Sequence, residues 1–148
     1  MVGKMAAPKG LILRIATKEW VNQVFDYAIY YTSARRKLSA GQIVLFVHKT
    51  EFGDAFIGYG EIENICSVEE LSEVERSLCE KCGWKRAIEF KYIVKFEEPL
   101  PISETFLKDL KVRGKTLHCF PLSEENLNQI IGNAEKRQMQ KGLSHFSP

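Results

Sequence analysis

Residues 39–65, SAGQIVLFVHKTEFGDAFIGYGEIENI, decide how this chain folds. A turn ending at Gly41 feeds Ile43-Val44-Leu45-Phe46-Val47, an unbroken apolar run. Such a run has no polar face to give to water, so it predicts a strand buried on both sides. The polar segment from Lys49 to Asp54 reads as a turn, and Phe56 to Ile62 as the returning strand. That second strand carries Gly58 and Gly60. Glycine inside a strand weakens pairing and marks sharp curvature or the close approach of another group. A bent hairpin with two glycines fits a small, closed β-barrel.

The flanking sequence supplies helices. Leu11 to Ile15 reads as a strand, and Thr17 as the N-cap of a helix with Val21, Val24, Phe25 and Ala28 on one face. Residues 30–38, YYTSARRKL, read as a polar, basic connector. Ser67-Val68-Glu69-Glu70 has the form of a capping box opening a helix with Leu71, Val74 and Leu78 inward, closed by Gly83. Residues 87–96, AIEFKYIVKF, alternate as a strand that Pro99 and Pro101 end. Ser103 caps a short helical turn, Thr116 to Phe120 forms a last strand, and Ser123 caps a helix with Leu127, Ile130, Ile131 and Ala134 inward. The class is α+β.

At 148 residues the chain fits one domain, with a loose leader over 1–10, a folded unit over 11–135 and a basic tail over 136–148. The net charge is +2, but Glu69, Glu70, Glu73, Glu75 and Glu80 crowd one segment, so the remainder is more basic than the total. No apolar run reaches the length of a membrane span and no signal-peptide core is present, so a cytoplasmic protein with reduced thiols is expected.

Several of these features together resemble the EVE domain of the PUA-like superfamily, which also includes the YTH and ASCH domains. The resemblance rests on Thr17, Glu19 and Trp20 opening the first helix and on the connector with Ala34, Arg35 and Leu38. It continues through the strand Gly41-Gln42-Ile43-Val44-Leu45-Phe46, the strand Phe56-Ile57-Gly58-Tyr59-Gly60-Glu61-Ile62, and the run ending Phe96-Glu97-Glu98-Pro99-Leu100-Pro101. It covers Leu11 to Ile131. Gln42 takes the place of the family's usual Asp, and the G-x-K-x-x-E-x-R motif of ASCH domains is absent. The resemblance implies a small, partly open, mostly antiparallel β-barrel with flanking helices and a pocket between the first helix, the connector and the curved hairpin. There a modified or flipped-out base of RNA or DNA, RNA before DNA, would be held by stacking and edge hydrogen bonds.

Trp20, Phe46 and Tyr59, with Gly58 and Gly60, are the expected base pocket, and Tyr30 and Tyr31 are read as similar aromatics. Extruding a base costs a few kcal/mol, and stacking on an aromatic ring returns about 1–3 kcal/mol. Arg35, Arg36, Lys37, His48 and Lys49 are the expected phosphate contacts, with Arg113 and Lys115 a second basic turn. No cofactor is implied. Two other chemistries have residues that fit. Cys79-x-x-Cys82 with His118 and Cys119 could complete a tetrahedral zinc site in an interaction module. His48, oriented by Asp54 or Glu51, could act as the base of a small hydrolase on modified nucleosides. No nucleophile elbow or phosphate loop accompanies them, so binding without catalysis is the expectation.

Overall fold

The structure, a computed structural model, describes residues 9–33, 37–51, 53–110 and 118–145. Strand β1 (Gly10–Arg14) leads to helix α1 (Lys18–Tyr27), then β2 (Ile29–Thr32), β3 (Ile43–Thr50) and β4 (Gly53–Ser67). Helix α2 (Glu73–Cys82), β5 (Arg86–Pro101), β6 (Pro121–Leu122) and α3 (Glu124–His145) follow, with short 3₁₀ turns after β4 and β5. The six strands form one mixed sheet in the order β2-β5-β4-β3-β1-β6. β1 and β3 run parallel, and every other pairing is antiparallel. The sheet does not close, because β2 and β6 are its two ends.

The central strand behaves as its composition dictates. Val44, Leu45, Phe46 and Val47 are all fully buried. Val44 and Phe46 join the core under α1 with Leu11, Leu13, Val24 and Phe90. Leu45 and Val47 join the opposite core, with Phe56, Leu127, Ile130 and Ala134 beneath α3. A strand covered by a helix on each face needs no polar side chain, and burying each of these residues is worth about 1.5–3 kcal/mol. The predicted caps at Thr17 and Ser123 form: their side-chain oxygens accept from the backbone N–H of Trp20 and Asn126. Gly83 ends α2 at φ 75. Gln42 takes up the turn before β3, its side-chain oxygen accepting from the Ser39 N–H at 2.8 Å.

Several sequence expectations change. The connector beginning at Tyr30 contains strand β2, which pairs with β5 from Ile29↔Glu89 to Thr32↔Arg86. Ala28, in the left-handed region at φ 56, turns the chain from α1 straight into it. The capping box at Ser67 is outcompeted by one at Ser72. β4 runs through Ser67, and Ser72 caps α2 by accepting from the Glu75 N–H while its hydroxyl donates to the Glu75 carboxylate. Val74 is consequently 81% exposed, and Cys79 is the buried anchor of α2. Pro99 does not end β5, which runs on to Pro101 and ends there, paired with Ala55 of β4. The strand nearest the C-terminus is Pro121–Leu122, preceded by a turn at His118 and Cys119; residues 116 and 117 lie outside the described residues. Finally, α3 runs on to His145, so residues 136–145 are helical rather than a loose tail.

Candidate functional site

The two ends of the sheet come together at a cavity of about 390 Å³. Arg14, Ile15 and Ala16 at the end of β1 line it, with Trp20 on α1, Tyr30 and Tyr31 on β2, Trp84 between α2 and β5, and His118 beside β6. Each wall is fixed by local structure. Trp20 occupies the first turn of α1 because Thr17 caps that turn. Trp84 follows the Gly83 cap directly, and its N–H donates to the Cys79 carbonyl at 2.9 Å. His118 is held by the next residue: the Cys119 N–H donates to Ile12 O and the Ile12 N–H to Phe120 O, which pins the turn to β1.

The two indoles are set nearly at right angles, and a tyrosine backs one of them. Trp20 and Trp84 meet edge to face with ring centres 4.7 Å apart and planes at 81°. Tyr31 stacks flat on Trp84 at 5.3 Å and 11°. The Tyr31 hydroxyl donates to the Glu75 carboxylate at 2.8 Å, which ties the stack to the start of α2. Burial and that bond push the Tyr31 phenol far above its ordinary value. Both tryptophans are only half-buried, so indole surface remains open to the cavity.

The polar groups are equally constrained. The Arg14 guanidinium is held by Asp54 through Nε and Nη2, at 3.1 and 3.0 Å. This bidentate geometry balances the charge and fixes the fork. The Arg14 backbone N–H donates to Nδ1 of His118 at 3.1 Å. Burial lowers the His118 pKa below the usual value for histidine. The Tyr30 phenol is pushed up to about 12, first by burial and then by the neighbouring Cys119. At neutral pH every titratable group lining the cavity is therefore uncharged or paired.

Of the residues expected to form the base pocket, Trp20 lines this cavity. Phe46 does not, being fully buried and packed against Phe25 and Phe90. Tyr59 lies on the α3 side of the sheet, against Tyr92 and Phe96. Gly58 and Gly60 are sites of close approach. A Cβ on Gly58 would collide with the Val94 carbonyl oxygen and come within 2.9 Å of the Phe25 ring; one on Gly60 would lie 2.8 Å from Tyr92 O. The two glycines thus admit protein, not ligand.

Among the expected cations, Lys37 and Lys49 are exposed. Arg35, Arg36, Arg113 and Lys115 lie outside the described residues. His48 braces the cavity from behind: its ring Nδ1–H donates to the Ile15 carbonyl at 2.7 Å. Asp54 is engaged by Arg14. The proposed zinc ligands do not assemble. Cys79, on α2, packs with Tyr31 and Ala87 beneath that helix, whereas Cys119 belongs to the core under α1. Among the described residues, no three His, Cys, Asp or Glu side chains are grouped to hold a metal ion.

Sequence reasoning missed Trp84 and Arg14 as wall residues and read His118 as a possible zinc ligand, not as part of the cavity wall. A signal for Trp84 was present. A large aromatic squeezed between a helix-ending Gly83 and the start of a strand has little freedom to turn away. What it faces depends on the pairing of β2 with β5, which local sequence does not reveal.

No protein-family model matches the chain, and no curated protein matches it significantly in sequence. Its fold is nonetheless similar to solved structures. An ASCH protein from Zymomonas mobilis superposes with a TM-score of 0.61 at 13% identity, over 84% of this chain and 94% of that one. A serine-to-alanine mutant of the same protein gives 0.62 at 13% identity, over 87% and 99%. The YTH domain of the Zygosaccharomyces rouxii MRB1 protein, in complex with N6-methyladenosine RNA, gives 0.57 at 14% identity, over 89% and 92%. The chain therefore has the α+β, PUA-like fold of ASCH and YTH domains. The ASCH neighbours share this fold although this sequence lacks the ASCH motif, since backbone shape is held by core pattern rather than by surface motif.

Proposed function

We propose that this chain is a nucleic-acid-binding module that takes a single flipped-out, modified base into the Trp20–Trp84 cavity, without catalysis and with RNA as the preferred strand. The observation that carries the reading is the pair of half-buried indoles set at 81° in a cavity of about 390 Å³. That volume falls within the roughly 300–1,000 Å³ of small-ligand pockets. A base stacked on one indole would place its edge, or a methyl group on it, against the other. Stacking of about 1–3 kcal/mol per base offsets much of the few kcal/mol needed to unstack it. The YTH neighbour's complex with N6-methyladenosine RNA supports the same class of ligand. Within the PUA-like superfamily, the Gly41 to Ile62 strands support the EVE branch.

Phosphates flanking the flipped base would be met by Arg35, Arg36 and Lys37, which follow β2 directly in the chain, and by His48 and Lys49. The test is a binding screen of short single strands, RNA and DNA, each with one central base either unmodified or methylated. Preferential binding of a methylated RNA, with a salt slope reduced in the Arg35→Ala, Arg36→Ala double variant, is the expected result. Equal binding of every strand at equal salt slope would overturn the proposal.

A further inference from the structure

The polar rim of the cavity specifies which edge of a ligand it reads, an inference that rests on the base-binding proposal above. A backbone N–H can only donate, so Nδ1 of His118, bonded to the Arg14 N–H, must be the accepting nitrogen. The ring proton of the neutral imidazole then sits on Nε2. Protonating Nδ1 would set two donors against each other, and burial separately favours the neutral ring.

The other polar groups lining the cavity do not supply a fixed acceptor. The guanidinium of Arg14 has only donors, and two of its nitrogens are already committed to Asp54. Each indole N–H is a donor only. The Tyr31 hydroxyl is spent on Glu75. The Tyr30 hydroxyl has no hydrogen-bond partner among the described residues and can donate or accept. No carboxylate and no side-chain amide is among the described lining residues. An aromatic cage for a methylated ammonium gains from a cation over its rings. Here the charged group among the described lining residues is the Arg14 guanidinium, paired with Asp54, which would repel a second cation.

We propose that His118 is the specificity-determining donor of this cavity: its Nε2–H gives a hydrogen bond to an acceptor on the edge of the bound base, a ring nitrogen or a carbonyl oxygen. The cavity accordingly takes uncharged, acceptor-bearing bases and rejects methylated ammonium groups. The position of His118 makes this a rigid test of the edge. Cys119 holds the left-handed conformation at φ 63 while its N–H bonds Ile12 O, so the turn cannot slide to suit a ligand that lacks the acceptor.

The experiment titrates the full chain with fluorescent short RNAs carrying one central N6-methyladenosine, or its 1-deaza, 3-deaza or 7-deaza analogue, and with a trimethyllysine peptide. The wild type, Trp84→Ala, His118→Ala and His118→Gln are compared. The parent RNA should bind in a Trp84-dependent manner, and one deaza substitution should weaken it about three- to tenfold, the worth of one hydrogen bond. His118→Ala should show the same loss on the parent RNA and no further loss on that analogue. His118→Gln, which keeps an N–H donor, should recover part of the affinity. Trp84-dependent RNA binding with every deaza analogue equal to its parent, or with His118→Ala losing affinity equally on all of them, overturns the role of His118 and leaves the base-binding reading standing. Trp84-dependent binding of the trimethyllysine peptide, or RNA binding indifferent to Trp84, overturns both.

Discussion

Replacing Gly58 by Ala separates the two readings of the glycine-bearing strand. The added methyl would overlap the carbonyl oxygen of Val94 and stand 2.9 and 3.0 Å from Cε1 and Cζ of Phe25. Neither neighbour yields cheaply. The Val94 carbonyl belongs to the backbone of β5, paired here with β4. The Phe25 ring is held edge-on against Phe46 at 6.0 Å, with the Lys95 ammonium 5.7 Å above it. Overpacking of a tight contact costs about 1–3 kcal/mol, and a clash with backbone belongs at the upper end, so a loss of about 2–3 kcal/mol is expected. Urea unfolding followed by circular dichroism should show a lower midpoint at unchanged slope. RNA binding per folded molecule should stay as in the wild type, because Gly58 lies under Phe25 and outside the cavity. A stability change within about 0.5 kcal/mol, the range of an inconsequential surface substitution, would refute the packing argument. Lost binding at full stability would return Gly58 to the ligand site.

Three further outcomes follow from the geometry. Tyr31→Phe removes the hydroxyl that donates to Glu75 and should cost about 1–2 kcal/mol in thermal unfolding, since one partner is charged; an unchanged Tm would show that α2 is not tied to the pocket through this bond. Ala28→Gly relieves about 1–2 kcal/mol of left-handed strain against about 0.4–1 kcal/mol of added chain entropy, so a gain of up to about 1.6 kcal/mol is expected, and a loss would count against the conformation at φ 56. Because burial lowers the pKa of His118, the unfolded chain takes up a proton that the folded chain refuses as pH falls below about 6.5. Stability should therefore drop from that point until the folded pKa is reached, and His118→Gln should lose less over the same interval; parallel pH profiles for the two proteins would contradict this.

The parts of the fold that were legible are those set by neighbours in sequence. The apolar run at Val44–Val47 demanded cover on both faces and received it from α1 and α3. Thr17, Gly83 and Ser123 marked helix ends because a cap is a contact across a few residues. Ser67 misled because Ser72 offered the same S-x-x-E spacing, and pairing of β4 with β5 through Ser67 decided between them. The site was legible at Trp20 and at Tyr30 and Tyr31, which were read as similar aromatics. Its other walls come from the end of β1, from the junction at Trp84 and from the turn at His118, and only the six-strand order brings them together. Tyr59 was drawn into the expected pocket by its place between the glycines and Phe46 was set beside it, yet alternation along β3 and β4 sends Phe46 into the core under α1 and Tyr59 toward α3.

The chain contains two tryptophans, and both line the cavity. Fluorescence excited at the red edge, where tryptophan absorbs and tyrosine does not, therefore reports on the proposed site. A short RNA with one central methylated base, added to the wild-type protein, should change tryptophan emission saturably, with the same midpoint as the anisotropy of the labelled RNA. Binding seen by anisotropy with no change in tryptophan emission would place the RNA elsewhere and contradict the account.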